Sequence, residues 1–510
     1  MGDMANDKTL TMYDVRGIQK YIFATEDKTD AIGASVIVER IIQDALEYAA
    51  HKYSEDNECE YELNWHNSVN VLPYIEKDID IQVLYIGGGN AYVLFKTRQL
   101  CVGINKLMAR YIFKETYSLQ LAVAMVDKSN DYSYDYKRLH EKMHRVKANM
   151  VVSKPVGAFS VMAIEAKTGY PVIAMHKDMP RSYETIIKRK NCIKEDSGSF
   201  DDSNAGNIRA LVHIDGNNMG LRIKELLKDV KDYDIAVKTM RTISYNINTS
   251  FKTVFYDMQD LFCKRYGYDT VEKLLVAGDD VTYFCDPKIA LETVKFFCNM
   301  ISKEVMYGEK TEENIGKYGF TVCAGIAYTD VKNPFRVSYE VAQSCCESAK
   351  QCAKKCAKDG KVGNFVDFQI SRNIHSTNLE NLRESDYVTA SGESLLMRPY
   401  FISDKDNEVK INDKVEAYSV AYLEKQISYL NEKMQSKTST NKVRNTYILG
   451  KKRMNILSAV IRRNVDETFS PYIEKFRDKK TAKYYDALEI MNWHTEDIYG
   501  EIQDNNKVIK

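Results

Sequence analysis

Three aspartates stand where apolar runs end, and their spacing could bring acidic side chains together. Asp215 ends one apolar run and is followed by Gly216, while Asp279 and Asp280 lie in a glycine turn between two further apolar runs. Carboxylates that meet at one sheet edge repel each other, and a divalent cation removes that repulsion. The pattern therefore predicts a site for two Mg²⁺ or Mn²⁺ ions, which can activate a hydroxyl group and stabilise a leaving pyrophosphate. Gly216 would let a phosphate or an ion approach the backbone closely.

The elements that would position these aspartates occur twice, in the order strand, helix, hairpin, helix, strand, helix. The first set is expected at Leu10–Val15, Ala31–His51, Ile81–Phe95, Leu100–Lys114, Leu119–Val126 and Tyr134–Asn149. The second set is expected at Ile208–Asp215, Tyr233–Cys263, Leu274–Cys285, Leu291–Val305, Phe320–Tyr328 and Phe335–Lys358, before a last strand at Phe365–Ile370. This order is typical of ferredoxin-like folds, and its repetition indicates a divergent internal duplication. In such a fold the first strand and the hairpin are neighbours, so the aspartates would meet.

Length and composition restrict the class of protein. The chain has 510 residues, with 72 Lys plus Arg and 72 Asp plus Glu, so two to four domains are expected and any basic surface for nucleic acid must be local. The 11 cysteines include no CxxC pair, which favours reduced thiols in a cytoplasmic compartment. The sequence contains no run of 18 apolar residues, so no membrane span is predicted.

Several motifs, in matching order, resemble the large polymerase-like subunit of type III CRISPR effector complexes, over about residues 9 to 500. The matching stretches are DVRGIQKYIF (Asp14–Phe23), GAS (Gly33–Ser35), GGGN (Gly87–Asn90), DGNNMG (Asp215–Gly220), AGDD (Ala277–Asp280), CAGIAY (Cys323–Tyr328) and Ala349–Lys350. A glycine-aspartate turn alone is also a common hairpin without function. The ordered set of motifs is more specific than any one of them.

The resemblance implies an α+β protein with two ferredoxin-like palm domains and an all-α C-terminal domain. We expect a first, non-catalytic palm at 1–150, a connecting segment at 151–206, a second palm at 207–372 and the helical domain at 373–510. The linker-like stretch Glu195–Gly206 lies in the connecting segment, and the basic stretch Lys442–Asn464 lies in the C-terminal domain. Since basic residues on a helical domain more often form a solvated face, we assign that stretch no binding role.

The resemblance also implies a reaction. ATP would bind between the palms and be joined into cyclic or linear oligoadenylates with 3′–5′ linkages, which serve as antiviral second messengers. Other effector subunits and a guide RNA paired with target RNA would be the partners and the activator. The implied catalytic and metal-binding residues are Asp215, Gly216 (through its carbonyl), Asp279 and Asp280. The implied nucleotide-binding residues are Ser35, Gly88, Gly89, Asn90, Asn218, Gly278 and Lys350.

Some residues depart from the family pattern. Ala277 replaces a glycine, Asn217 replaces a common second aspartate, and the first palm has Asp14 but no acid in its turn. We therefore expect the first palm to hold substrate. No His-Asp dipeptide occurs, so the nuclease domain of the family is expected to be absent and no DNA cleavage is predicted. Instead of binding a nucleotide, Ser35 and Asn90 could serve as helix-cap or turn residues. Lys350 could likewise be an ordinary solvated lysine.

Three other interpretations remain open at this point. His140-Glu141-Lys142-Met143-His144 is an HExxH sequence on a predicted helix, as in zinc hydrolases, although no clear third ligand follows. The chain could instead be a non-enzymatic scaffold for RNA and other subunits. It could also link an adenylate to another small molecule, such as S-adenosylmethionine. Four cysteines on one predicted helix could bind metal, but they are more often core residues, and they are Cys345, Cys346, Cys352 and Cys356.

Overall fold

The computed structural model describes most of the chain up to residue 435 and short segments beyond it. The described residues are 8–24, 27–62, 79–150, 159, 161–176, 178–192, 208–267, 270–357, 362–371, 378–387, 394, 396–403, 408–411, 414–435, 477–478, 481–482 and 485–493. The linker-like stretch Glu195–Gly206 and the basic stretch Lys442–Asn464 lie outside them. No helix among these residues is long and apolar enough to cross a lipid bilayer.

The N-terminal part of the chain forms one mixed sheet with helices against it. Its strands are β1 (Thr9–Arg16), β2 (Tyr61–Glu62), β3 (Ile81–Gly87), β4 (Asn90–Phe95) and β5 (Gln120–Asp127), in the order β2-β3-β4-β1-β5. Its helices are α1 (Ile18–Ile22), α2 (Lys28–Asp56), α3 (Arg98–Thr116) and α4 (Tyr132–Asn149). The inner strands are apolar on both faces because helices cover both faces of the sheet.

A short segment then connects the two halves. It contains the hairpin strands β6 (Val172–His176) and β7 (Met179–Ser182), followed directly by helix α5 (Tyr183–Asn191). The helix begins where the Ser182 hydroxyl accepts a hydrogen bond from the Thr185 amide, which is a common N-cap.

The second half repeats the architecture of the first. Its strands are β8 (Ile208–Gly216), β9 (Val271–Ala277), β10 (Asp280–Cys285), β11 (Val322–Asp330) and β12 (Phe365–Ser371). Its helices are α6 (Met219–Leu227), α7 (Tyr233–Tyr266), α8 (Ala290–Ile301), α9 (Glu312–Tyr318) and α10 (Phe335–Lys355). The matching strands have the same order in both sheets, β5-β1-β4-β3 in the first and β11-β8-β10-β9 in the second. The α+β class with two palm-type domains is thereby confirmed.

The C-terminal region is more mixed than the expected all-α domain. Its described elements are α11 (Leu379–Asp386), β13 (Tyr400–Phe401), β14 (Glu408–Ile411), β15 (Lys414–Ser419), α12 (Val420–Gln435), β16 (Arg477–Asp478), β17 (Thr481–Ala482) and α13 (Tyr485–Ile490). Strand β13 pairs with β12, and β15 and β14 follow it, so these strands extend the second sheet. The physical reason is that β12 would otherwise present an unpaired edge.

Side chains of the second half donate hydrogen bonds to backbone carbonyl groups of a strand in the first half, and these bonds join the two halves. Arg241 on α7 donates to the Val83 carbonyl of β3 at 2.8 Å, and the Ser244 hydroxyl donates to the Ile86 carbonyl at 2.7 Å. The long helix of the second palm therefore covers the outer strand of the first hairpin. In the reciprocal position, α2 of the first palm packs against β9 of the second. Buried backbone groups need partners, so each half completes the other.

Gly33 lets the connecting segment pack tightly against the first palm. A Cβ atom at Gly33 would lie 1.8 Å from the Lys188 carbonyl oxygen of α5. Lys188 is itself fully buried, and its ammonium donates to the Tyr21 carbonyl and to Glu184, both at 2.6 Å. The Lys188 carbonyl oxygen belongs to the backbone of α5, and α5 is held in place by these hydrogen bonds. It therefore cannot easily move to make room for a Cβ atom.

We expect Gly33→Ala to destabilise the protein by about 1–3 kcal/mol, because the added methyl group would force α2 and α5 apart. Urea unfolding would measure the change. The matched control is Gly316→Ala in α9, where nothing lies within 4 Å of the added carbon; we expect that substitution to be neutral or to stabilise by about 0.5–1 kcal/mol. Equal midpoints for the two variants would contradict this account of the α2–α5 contact.

Candidate active site

The strand register brings the three aspartates to one end of the second sheet. Asp280, the first residue of β10, is directly opposite Asp215 on β8. Opposed residues of an antiparallel pair point to the same face, so these two carboxylates share it. Asp279 occupies the turn before β10, and its carboxylate lies against the backbone of Gly216, where a Cβ atom would come within 2.7 Å of Oδ2.

The two hairpin turns differ in a way that admits an acid in one of them. Both central residues of the first turn, Gly88 and Gly89, have positive φ (57° and 80°), which suits a type I′ turn and strongly favours glycine at the second central position. In the second turn Gly278 has φ 64°, while Asp279 is not among the residues with positive φ. That sign pattern is the pattern of a type II′ turn, whose second central position accepts a side chain. Ala277 is the last residue of strand β9, where a methyl group is tolerated.

The turns also face each other across the interface between the palms. A Cβ atom at Gly278 would lie 3.2 Å from the Gly88 amide nitrogen. Tyr85 of the first palm is also buried near this junction, and its burial together with the Asp279 carboxylate raises the pKa of its phenol well above the ordinary value. The acidic turn is therefore located at the junction of the two palms.

A lysine on α10 compensates part of the negative charge. The Lys350 ammonium donates a short hydrogen bond to Asp215 Oδ2. Burial disfavours the charged form of Lys350, but the charge and hydrogen bond of Asp215 outweigh that effect and raise its pKa. Only 20% of the Lys350 side chain is exposed. Lys350 is therefore a largely buried partner of the Asp215 carboxylate and is not a freely solvated lysine.

The negative charge of the other two carboxylates, Asp279 and Asp280, is compensated less completely. Burial and the neighbouring Asp215 charge raise the pKa of Asp279 to about 7 and the pKa of Asp280 to about 8, while Lys350 opposes both shifts. The Asp280 side chain keeps 32% exposure, so water offsets part of this desolvation. Repulsion of this kind is what a bound cation would relieve.

Sequence reasoning missed His213 and Tyr339, which pack beneath the carboxylates. His213 is two residues before Asp215 on the same face of β8, shares a 3.0 Å hydrogen bond with the Thr282 hydroxyl and lies 3.4 Å from Asp280 Oδ1. Burial lowers its pKa to about 4, so the ring is neutral near pH 7. The Tyr339 ring packs edge-on against it at 5.4 Å. Strand alternation could have found His213, but Tyr339 becomes visible only once α10 is placed on the sheet.

Ser35 lies in the interface between the palms, although it does not contact the aspartates. It is buried on α2 and lines a small cavity of about 10 Å³, which holds at most about one water molecule, together with Phe23, Leu275, Thr282 and Phe335. Because the Thr282 hydroxyl also approaches Asp280 at 3.5 Å, this cavity adjoins the acidic end of the sheet.

The other implied nucleotide-binding residues have local roles in this state. The Asn90 amide donates to the Gly88 carbonyl of its own turn at 3.3 Å. Asn218 has a left-handed backbone (φ 54°) at the start of α6 and makes no side-chain cap. Asn217, which replaces an acid of the family pattern, donates its side-chain amide to the Gly363 carbonyl at 3.1 Å and so fixes the strand end.

The first palm contains a copy of the lysine–aspartate pair that sequence reasoning also missed. Lys147 on α4 donates to Asp14 Oδ2 at 2.5 Å, and Asp14 is opposite Asn90 as Asp215 is opposite Asp280. Lys147 and Lys350 each lie 15 residues after the first residue of their helices. Aligning the two repeats would have revealed this correspondence.

The residues fit divalent ions held mainly by substrate. Among the described residues, no three or more His, Cys, Asp or Glu side chains are arranged so that they alone could hold a metal ion. Mg²⁺ does not require one, since it commonly takes one or two carboxylates and completes its shell with water and phosphate oxygens. The Gly216 backbone beside the Asp279 carboxylate and the raised pKa values of Asp279 and Asp280 are consistent with a position for a cation.

The rival metal motifs have structural explanations. His140 shares a 2.9 Å hydrogen bond with the Tyr92 hydroxyl and packs against Tyr136, and burial lowers its pKa to about 4. Glu141 and His144 are exposed, and no third ligand joins them in the part of the chain that the structure describes. All 11 cysteines are free, and Cys346 donates to the Cys323 carbonyl at 3.2 Å in the α10–β11 core.

Comparison with known families identifies the second palm. Residues 208–359 match the family model described as Cas10/Cmr2, second palm domain. This part of the chain is similar to a Cas10/Cmr2 second palm domain. The matched residues include the three aspartates and Lys350, so the resemblance drawn from the motifs is confirmed. A comparison with curated proteins found no match.

Solved structures with a similar fold extend the likeness beyond the Cas10/Cmr2 palm. A Csm1–Csm4 subcomplex in the type III-A CRISPR–Csm interference complex matches with a TM-score of 0.52 and 12% identity, covering 96% of this chain and 70% of that chain. A Csm1–Csm4 cassette in complex with cA4 matches with a TM-score of 0.51 and 13% identity over 96% and 70%. A cassette in complex with pppApApA gives a TM-score of 0.51 and 12% identity over 96% and 69%. At these identities the likeness concerns the fold.

The raised pKa values predict how stability depends on pH in the absence of metal. An ordinary aspartate has a pKa of about 3.9, so between about pH 4 and pH 8 the folded protein binds more protons at Asp279 and Asp280 than the unfolded chain does. The stability that these protonated carboxyls contribute is therefore present below pH 4 and is lost as the pH rises towards 8.

Urea unfolding in EDTA across pH 5–8.5 tests this dependence. The free energy of unfolding should fall more steeply with pH for the natural protein than for an Asp279→Asn/Asp280→Asn variant, which cannot lose those protons. Parallel curves for the two proteins would show that the Asp279 and Asp280 carboxyls titrate normally.

Proposed function

We propose that this chain is a metal-dependent nucleotidyltransferase that joins ATP into an adenylate second messenger in type III CRISPR defence. The observation that carries the proposal is the pairing of Asp215 with Asp280 beside Asp279, in a turn that faces the glycine turn of the other palm. The match of residues 208–359 to the Cas10/Cmr2 second palm supports it independently.

The proposed reaction is transfer of an adenylyl group. The 3′-hydroxyl oxygen of one nucleotide attacks the α-phosphorus of an ATP, and a new phosphodiester bond forms. The bond between that phosphorus and the oxygen bridging to the β-phosphate breaks, pyrophosphate leaves, and the hydroxyl proton passes to solvent. When bound, two divalent ions would lower the pKa of the attacking hydroxyl and stabilise the charge on the leaving group.

The proposed roles of the residues follow their chemistry. Asp215, Asp279 and Asp280 hold the ions, with the Gly216 carbonyl as a further oxygen ligand, and Lys350 neutralises phosphate charge. The absence of side chains at Gly278, Gly88 and Gly89 gives phosphates access to backbone amides. These assignments are proposals that the variants below test.

The cavity beside Ser35 holds at most about one water molecule in this state, so a nucleotide base does not fit it as it stands. Its walls combine the rings of Phe23 and Phe335 with the hydroxyls of Ser35 and Thr282, and Ser35 remains a proposed contact to a nucleotide. Asn90 and Asn218 remain proposed contacts to the nucleotides. The first palm would hold the second nucleotide without a metal site of its own, since its turn has no acid.

The proposed product follows from the similar structures. Csm1–Csm4 cassettes have been solved in complex with cA4 and with pppApApA, which makes adenylate oligomers the first product to seek. A guide-RNA complex with target RNA is the proposed activator. Transfer to S-adenosylmethionine, or no transfer at all, would be recognised in the same assay.

We expect Asp279→Asn/Asp280→Asn to lower turnover by about 10²- to 10³-fold or more, because the pair stabilises charge that develops during transfer. Purified protein, with and without the guide-RNA complex and target RNA, would be incubated with labelled ATP and Mg²⁺ or Mn²⁺, and products identified by mass spectrometry. The matched control is Asp14→Asn at the corresponding position of the first palm, which should leave turnover within about tenfold because that palm lacks turn acids.

Equal loss in both variants would assign the aspartates a structural role and contradict the proposal. A conjugate mass that requires added S-adenosylmethionine would keep the chemistry and change the acceptor. No pyrophosphate release under any of these conditions would favour the scaffold interpretation.

We further propose that the chain docks a second protein subunit through its connecting segment. Among the residues of this segment that the structure describes, seven large hydrophobic side chains are each at least 46% exposed, and exposed apolar patches often mark sites of protein association; they are Phe159, Val161, Met162, Ile164, Ile173, Met175 and Met179. Because the similar structures are Csm1–Csm4 assemblies, the proposed occupant of this exposed apolar segment is a Csm4-type subunit.

Ile173→Asp should weaken binding of the candidate Csm4-type subunit by about tenfold or more, since a charge would be buried in an apolar contact. Ile235→Asp is the matched control, because both isoleucines are 57% exposed and Ile235 lies on α7, away from the connecting segment. Co-elution and calorimetry would measure binding, and thermal unfolding would verify the fold. Undiminished binding by Ile173→Asp would refute this docking surface.

A further inference from the structure

Lys350 occupies one of the two Asp215 carboxylate oxygens that could bind a cation. Its ammonium hydrogen-bonds to Asp215 Oδ2, and the two side chains are 20% and 37% exposed. The Lys350 charge also interacts favourably with the Asp279 and Asp280 carboxylates and opposes the rise in their pKa values. The Lys350 ammonium therefore already compensates part of the negative charge that a divalent ion at this site would compensate.

The pair between Lys147 and Asp14 shows that this arrangement does not depend on a metal site. It occurs at the equivalent strand and helix positions of the first palm, where Asn90 replaces the turn-end acid. A lysine–aspartate pair at this place is thus a property of the duplicated fold. What distinguishes the second palm is that the same pair is surrounded by further carboxylates.

We propose that Lys350 occupies Asp215 until a nucleotide triphosphate draws it away, so that metal and nucleotide bind cooperatively. This inference rests on the proposed function and adds an order to it. Without nucleotide, an ion that binds Asp215 through Oδ2 must break a partly buried ion pair and leave an ammonium without its partner, which is costly. A triphosphate offers that ammonium new oxygen partners and frees the Asp215 carboxylate for the ion.

Linkage makes the inference measurable. If nucleotide increases the affinity for the ion by some factor, the ion must increase the affinity for nucleotide by the same factor. Removing the ammonium should release Asp215 permanently, so the ion should then bind well without nucleotide and gain little from it. Simple repulsion between Lys350 and the ion would behave differently, because it would shift the affinity equally with and without nucleotide.

The experiment is a Mn²⁺ titration followed by electron paramagnetic resonance, with and without a non-hydrolysable ATP analogue, so it does not depend on turnover. In the natural protein, we expect the analogue to raise Mn²⁺ affinity by a factor of about 5–150. Lys350→Met, of similar length and no charge, should bind Mn²⁺ more tightly than the natural protein in the absence of analogue and lose most of that coupling. Lys350→Arg, which keeps the charge, should retain it.

Lys147→Met is the matched control, because it breaks the equivalent pair in a palm without turn acids and should leave both the affinity and the coupling as in the natural protein. Equal coupling in Lys350→Met and the natural protein would overturn the inference, while nucleotide-dependent Mn²⁺ binding would leave the proposed function standing. If no Mn²⁺ bound even with the analogue present, the inference and the metal dependence of the proposed function would both be wrong.

Discussion

The repulsion among three carboxylates at one end of a sheet is the constraint on which the rest of the candidate site depends. A shift of register by one residue would exchange the two buried faces of β8 and move Asp215 away from Asp280, so packing on both faces holds the charges together. Lys350 compensates one of them through an ion pair, while burial and the Asp215 charge raise the pKa of Asp279 and the pKa of Asp280. The folding energy of the sheet thus maintains an electrostatic arrangement that would not persist by itself.

The same packing makes the site a joint product of two palms. Arg241 and Ser244 on α7 satisfy the carbonyl groups of the outer strand of the first hairpin, which fixes that hairpin opposite the acidic turn. Phe23 of the first palm stacks on Tyr339 of α10 with ring centroids 3.8 Å apart, directly beneath the carboxylates. Neither half buries its own edge completely, and therefore the cavity beside Ser35 exists only when both are assembled.

Much of the fold could be predicted from sequence, because strand and helix periodicities are local. The order of elements in both palms and the meeting of Asp215 with Asp280 follow from apolar runs and a known topology. The neighbours on other elements could not be predicted in this way: Tyr339 and Tyr85 reach the aspartates through the packing of α10 and of the first hairpin. The strands beyond β12 were missed because they are short and are stabilised by an edge elsewhere in the chain.

The difference between the two turns gives the duplication its functional asymmetry. With positive φ at both Gly88 and Gly89, the first turn could accept an aspartate at its second position only at a cost in backbone strain. The second turn needs positive φ at Gly278 alone, so Asp279 is accommodated without that cost. One backbone difference thus separates a palm that can gather carboxylates from one that keeps a single lysine–aspartate pair. Because the two turns touch, a nucleotide held by the first palm would have its reactive groups beside the acids of the second.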